Sequence, residues 1–258
     1  MNAILDFLNS HCSVRHFTDQ PVTADQQRII LTTAQRSPTS SNLQAYSTIA
    51  VRDAAKKKQL ARLAGDQGHV RECPLFVVFC ADLFRLRTIA RARGYEFHGE
   101  YAEAFIVATV DTALAAGRAL MAAQALGLGG VMVGGIRNHP DAVTKLLHLP
   151  DLVYPVMGMS IGWPASPSKI KPRLPAEAVH FSESYDAGAL ARSITAYDSV
   201  IDRAGHLKGR EIETDNYPDF NGPYSWSEHS ARRMASTTET ALRPQLLEFL
   251  QSRGWLRK

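Results

Sequence analysis

Cysteine is scarce in this chain. Only Cys12, Cys73 and Cys80 occur in 258 residues, an odd number with no zinc-like pairing. They read as reduced thiols in a reducing compartment, not as a disulfide framework. There is no HExxH helix motif and no P-loop. The nine histidines are dispersed without a pair at metal-ligand spacing, so no metal is expected. An excess of one charge is missing too: 29 Lys and Arg stand against 25 Asp and Glu, a formal net charge of +4. The one compact basic run, Lys56-Lys57-Lys58, reads as a solvated helix face and not as a nucleic-acid patch. The start, Met1-Asn2-Ala3-Ile4, lacks the basic residues and apolar stretch of a secretory signal. The longest apolar stretch, from about Phe105 to Leu128, contains Asp111 and Arg118, which favours a buried core helix over a membrane span. These absences point to a cytoplasmic protein with neither nucleic acid nor membrane as partner.

What is present reads as alternating helix and strand. Ile4, Leu5 and Leu8 form a short helical stripe. Thr23-Ala24-Asp25-Gln26 has the capping-box pattern and opens a helix to about Arg36, which Pro38 stops before a turn from Thr39 to Asn42. Tyr46 to Val51 is strand-like, and Asp53 can cap a helix ending near Gly65. Leu75 to Cys80 is continuously apolar, as a buried strand is. An Ala-rich helix from Glu103 to Leu126 ends at Gly127-Leu128-Gly129-Gly130, and Val131 to Val133 resumes as a strand. Those glycines begin like a dinucleotide fingerprint, but a helix precedes them and a strand follows, the reverse of what that fingerprint needs. Pro140 starts a helix ending near His148, and Tyr154 to Trp163 is strand-like. After Tyr185 the chain is mainly helical, broken by a loop from Gly205 to Tyr224. One α+β domain over residues 1–258, with 185–258 as a helical C-terminal extension, is the simplest organisation.

Two polar stretches are the candidate site. In His11-Cys12-Ser13-Val14-Arg15-His16-Phe17, the alternation of His11, Ser13 and Arg15 puts their side chains on one side of an extended chain, where they suit a phosphate or an electron-rich ring. A plain loop with an arginine salt bridge fits that segment equally well. Ser37-Pro38-Thr39-Ser40-Ser41-Asn42-Leu43-Gln44 is a turn rich in hydroxyls and amides. Lys171 and Arg173 flank Pro172, two cations on a stiff segment. No nucleophile stands beside these groups, so a cofactor would have to carry any chemistry.

With Gly65-Asp66-Gln67-Gly68-His69-Val70, Leu126 to Asn138 and Gly162-Trp163-Pro164, these segments make the chain resemble the FMN-dependent nitroreductase and flavin reductase family. The resemblance is closest to the oxygen-insensitive NADPH nitroreductases and covers nearly the whole chain. It implies a central mixed, mainly antiparallel sheet flanked by helices, and a homodimer with FMN at the interface. By similarity His11, Ser13, Lys171 and Arg173 would hold the phosphate, and Arg15 would approach the N1/O2 edge of the flavin. Ser40, Ser41 and Asn42 would line the ring or ribityl chain, Gln67 the pyrimidine edge, and the backbone of Val133, Gly134 and Gly135 would pass close to the ring. NADPH or NADH would give hydride to flavin N5, and a nitroaromatic, quinone or free flavin would take two electrons in a ping-pong cycle. No side chain need be catalytic. Arg210, and second Lys208, would meet the NADPH 2′-phosphate; Arg137 and Arg243 match pocket-edge arginines, and as lone arginines fit structural roles equally well. Cys12 stands where close relatives have Arg, and Asn42 where some have an aromatic, while the 201–226 loop is longer than in familiar members. The alternative is a flavin-binding sensor or structural protein of the same fold with little turnover.

Overall fold

The structure is a computed structural model that describes residues 2–209, 211–212 and 222–258. These fall into two compact units, Met1–Ser168 with Arg243–Lys258, and Lys169–Leu242. The C-terminal segment Arg243–Lys258 thus joins the first unit and not the helical second one.

The first unit is built on four strands, β1 (Tyr46–Val51), β2 (Leu75–Asp82), β3 (Gly129–Val133) and β4 (Val153–Gly162), in the order β1-β2-β4-β3. All three pairings are antiparallel, the dominant sense expected, and no parallel pair occurs among the described residues. Helices α1 (Ala3–Asn9), α2 (Ala24–Ala34), α3 (Ala54–Leu63), α4 (Gly68–Glu72), α5 (Phe84–Ala92), α6 (Ala102–Ala125) and α7 (Pro140–Leu147) are arranged around it. The period-2 alternation of β2 explains the layers. Leu75, Val77 and Phe79 face Ile30 and Ala34 of α2 and Ala116, Ala119 and Ala123 of α6. Phe76, Val78 and Cys80 face the other way, onto Leu60 of α3, Val70 of α4 and Val143 of α7. With both faces covered, β2 is buried at every position, which is why its sequence shows no alternation.

Local signals acted where they stand. Thr23 and Gln26 form the reciprocal capping box of α2, and Asp53 accepts from the Lys56 amide at the start of α3. Pro140 is at the start of α7, and His148 ends it in a left-handed conformation. Lys57 is a correction: it is buried, and its Nζ donates to the Cys73 carbonyl, while Lys56 and Lys58 stay exposed. The run is therefore not one solvated face. Burying a cation is tolerable here because that carbonyl accepts from it. Helix α6 is long and apolar enough to cross a membrane by length and composition alone. One face of it is packed against α2 and the sheet, and carries the buried Asp111 and Thr112.

The last helix of the first unit, following α8 (Ala189–Arg203), α9 (Trp226–Ala235) and α10 (Glu239–Leu242) of the second, is α11 (Leu246–Ser252). Behind α11 the fully buried Trp255 sits edge-on to Tyr154, with ring centroids 5.1 Å apart. In the second unit a small core of Tyr197, Ile201 and Leu207 is packed with Leu174, Tyr224 and Trp226.

Candidate functional site

The stretch from His11 to Thr18 is seated on a pair of glycines. Gly129 of β3 and Gly162 of β4 are partners across the ladder. A Cβ on Gly129 would lie 2.5 Å from Val14 Cγ2, and one on Gly162 would lie 2.8 Å from Phe17 Cδ1. Only glycine leaves room for the segment at both places. Backbone bonds then fix its register: Val14 N to Gly130 O at 3.0 Å, Thr18 N to Trp163 O at 2.9 Å, and Ala165 N to His16 O at 3.0 Å. Val14 is 4% exposed, and burying such a side chain stabilises by about 1.5–3 kcal/mol. Ser13 and Arg15, on either side of it, are half-buried, as are His11 and Cys12, while His16 is exposed. His11 Nδ1 lies 3.3 Å from Gln124 Oε1 at the end of α6.

Arg15 acts on a second histidine. The imidazole of His69 has its pKa lowered from the ordinary value, first by burial and then by the positive charge of Arg15. His69 Nδ1 lies 3.1 Å from the hydroxyl of Ser160, and the neighbouring Cys73 thiol is pushed up, chiefly by burial. Gly158-Met159-Ser160-Ile161-Gly162 fits the GxSxG spacing of a nucleophile elbow, which corrects the expectation that the chain has none. Ser160 is fully buried within β4 and not on a strand-to-helix turn, so the Ser160–His69 pair cannot meet a substrate as a hydrolase pair does.

The loop before β1 is held differently. Ser41, Asn42 and Gln44 all take left-handed backbone conformations, with φ of 48°, 55° and 52°. Non-glycine residues rarely do so, and the strain persists only where surrounding contacts impose it. Here the anchor is Asp111 of α6, 1% exposed, which accepts from Ser40 N at 3.1 Å and from Ala45 N at 3.0 Å. Ser37 Oγ adds a bond to Leu114 O at 3.2 Å. Sequence reasoning used Asp111 only to argue against a membrane span. A lone carboxylate inside an Ala-rich helix was the available signal, but the loop it meets is distant in sequence.

Gln67 and Gly135 come together. Gln67 Nε2 donates to Ala64 O at 2.8 Å, and a Cβ on Gly135 would lie 2.3 Å from that carbonyl. Gly135 is therefore required by its protein neighbours, whereas at Gly134 the nearest contact would be Arg137 Nη2 at 3.4 Å. Val133 ends β3 immediately before them and is buried. Arg137 has a structural partner: its Nη1 donates to the carbonyl of Val156. The β2–β4 register shifts there, between Phe79 opposite Met157 and Cys80 opposite Pro155, so Val156 is the extra residue of a bulge. Burial lowers the Arg137 pKa. Arg243 Nε donates to Asn138 Oδ1 at 3.0 Å.

In the second unit, Arg173 Nη1 donates to the carbonyls of Lys171 and Pro172, at 3.1 and 3.3 Å, and Tyr197 Oη donates to Pro172 O at 3.2 Å. Lys171 is half-buried, and Lys208 is exposed just after the buried Leu207. Arg210 lies outside the described residues.

The donor set fits a flavin nucleotide by its chemistry. Imidazole, hydroxyl and guanidinium groups are presented along one extended segment, and hydroxyls and amides on a rigid loop, the groups that phosphate, ribityl and pyrimidine oxygens and nitrogens accept from or donate to. Comparison with known proteins agrees. The nitroreductase family model matches residues 8–163, and that of the nitroreductase family C-terminal domain matches 171–258. The chain is 38% identical over 258 residues to an oxygen-insensitive NADPH nitroreductase of Salmonella typhimurium, covering 99% of each. It is 41% identical over 205 residues to an FMN reductase (NADPH) of Bacillus subtilis, covering 78% of this chain and 82% of that one. Among solved structures, the NADPH:FMN oxidoreductase of Vibrio harveyi complexed with NAD+ superposes with a TM-score of 0.86 at 30% identity, covering all of both chains.

Proposed function

The chain belongs to the nitroreductase family, and from that premise we propose that it is a cytoplasmic FMN-dependent NAD(P)H oxidoreductase reducing nitroaromatics, quinones or free flavin. The observation that carries the reading is the presentation of Ser13 and Arg15 on either side of the buried Val14. FMN bound by these residues would supply two-electron redox chemistry between NAD(P)H and an acceptor, in ping-pong order.

The chain's own residues do the rest. Ser13 and His11 donate to the cofactor phosphate, and on sequence resemblance Lys171 and Arg173 serve the same group. Arg15 would set a preorganised positive charge near the flavin, which would favour its two-electron reduction. Burial first, and the charge of Arg15 second, lower the His69 pKa and so favour its neutral imidazole. Ser40, Ser41 and Asn42 stand on a loop already strained into place, so no ordering entropy need be lost there on binding. Gln67 uses one amide N–H on Ala64 and keeps its other polar atoms for the pyrimidine edge. The backbone at Val133, Gly134 and Gly135 borders the same place. Lys208 and Arg210 are assigned to the nicotinamide cofactor's phosphate, whereas Arg137 and Arg243 act structurally, through the partners described above.

Residues 1–258 act as one nitroreductase-like unit of function, and two copies form a homodimer. Ile106, Val110, Leu114 and Met121 form an exposed apolar stripe along α6, and Ile4, Leu5 and Leu8 another on α1, faces that a second copy would cover. FMN uptake followed by fluorescence quenching tests the reading. Wild-type protein should bind FMN with saturation, and Ser13→Ala should weaken it by about ten-fold, the worth of one charge-assisted bond. Protein that takes up no added FMN would overturn every part of this assignment.

A further inference from the structure

A cleft of about 380 Å³ lies in the first unit, between segments far apart in sequence. Arg87 of α5, Glu100, Asp151, Arg253, Arg257 and Lys258 contribute to its lining. Its frame is backbone. The amides of Arg257 and Lys258 both donate to Glu100 O, at 2.9 and 3.2 Å, and the Leu152 amide donates to Arg253 O at 3.0 Å. Gly254 turns the chain between these arginines at φ +94°, a conformation that L side chains rarely adopt.

Four cationic side chains and two side-chain carboxylates line this cleft. Arg253 pairs with Asp151 at 2.8 Å and Lys258 with Glu100 at 3.0 Å. Among the described residues, Arg87 and Arg257 have no carboxylate within salt-bridge distance. Arg87 rests over the Phe84 ring, 5.3 Å from its centroid. Arg257 donates Nε and Nη2 to the carbonyls of Gln251 and Ser252. The buried Nε of Arg253 has no acceptor. Two of its guanidinium groups, Arg87 and Arg257, are thus left without a carboxylate partner among the described residues, and such planar forks match phosphate oxygens.

We propose that this cleft binds a small phosphate-bearing anion, a phosphate monoester or diphosphate. None of the residues assigned to FMN or to the nicotinamide cofactor lines it. Arg87 and Arg257 supply the guanidinium donors, while Arg253 is held in the wall by Asp151 and by its Nη2 bond to the Leu149 carbonyl.

Calorimetric titration of the FMN-loaded protein with inorganic pyrophosphate, at fixed ionic strength, tests this. Saturable binding is expected, weakened by at least about ten-fold in Arg87→Ala/Arg257→Ala while NADPH-dependent turnover stays at the wild-type rate. Arg87→Lys/Arg257→Lys, which keeps charge but not the fork, should fall between the two. Lys208→Ala, in the other unit, should bind pyrophosphate as the wild type does. The proposal fails if the wild type shows no saturable binding, if the double alanine variant binds equally well, or if only Lys208→Ala loses binding.

Discussion

The two polar stretches that would meet the cofactor are held by opposite means. His11 to Thr18 lies against a sheet, its backbone bonded to β3 and to the chain just after β4, in a trough left by Gly129 and Gly162. Ser37 to Gln44 joins no ladder among the described residues. Three of its residues are left-handed, and one buried carboxylate, Asp111, ties both ends. A stretch seated on a sheet needs space and gains its order from the ladder. A loop without a ladder needs a specific partner that outweighs its strain. The first should therefore be sensitive to added volume, and the second to the loss of one charge.

Removing the anchor has the largest expected effect. Asp111→Ala leaves the amides of Ser40 and Ala45 without their acceptor, and should lower unfolding free energy by about 3 kcal/mol or more. Urea denaturation measures this, and FMN affinity should fall with it. Asp111→Asn, which retains one carbonyl acceptor, should lose roughly half as much. A value near zero for Asp111→Ala would mean the loop is ordered by something else.

Filling the trough comes next. Gly129→Ala places a methyl 2.5 Å from Val14 Cγ2 and should destabilise by about 1–3 kcal/mol, with His11, Ser13 and Arg15 displaced and FMN bound more weakly. Gly134→Ala, where the nearest neighbour is a flexible arginine tip at 3.4 Å, is the control and should stay within about 0.5 kcal/mol of wild type. Equal effects at the two glycines would erase the distinction. The smallest change should be a gain. Ser41→Gly relieves a left-handed residue and should stabilise by about 0.5 kcal/mol in a thermal melt, the relief partly offset by glycine's greater freedom when unfolded.

The same contrast explains what could be read before any coordinates existed. Features encoded locally were legible: the strand Tyr46–Val51, the caps at Thr23 and Asp53, Pro140 opening α7, and the helix-then-strand order around Gly127. The five residues of α4 are too few to show a helical period, and α5 passed unread between two stronger apolar signals. Partnerships between distant residues were out of reach. Nothing near Asp111 in sequence names Ser40 and Ala45, nothing in the Lys56–Lys58 run names the Cys73 carbonyl, and no local rule yields the order β1-β2-β4-β3. The assignment of polar segments to a flavin rested on five ordered motifs taken together, and the match of both family models extends that resemblance over 8–163 and 171–258.

The most direct test is anaerobic mixing of FMN-loaded protein with NADPH, then with NADH, in wild type and Arg15→Ala. The flavin band near ~450 nm should bleach in the wild type with at least one nicotinamide and return on adding a nitroaromatic or quinone. Arg15→Ala should keep its FMN yet be reduced at least about ten-fold more slowly, a loss of about 1.4 kcal/mol in the barrier. A wild-type protein that holds FMN and is bleached by neither nucleotide would contradict the account.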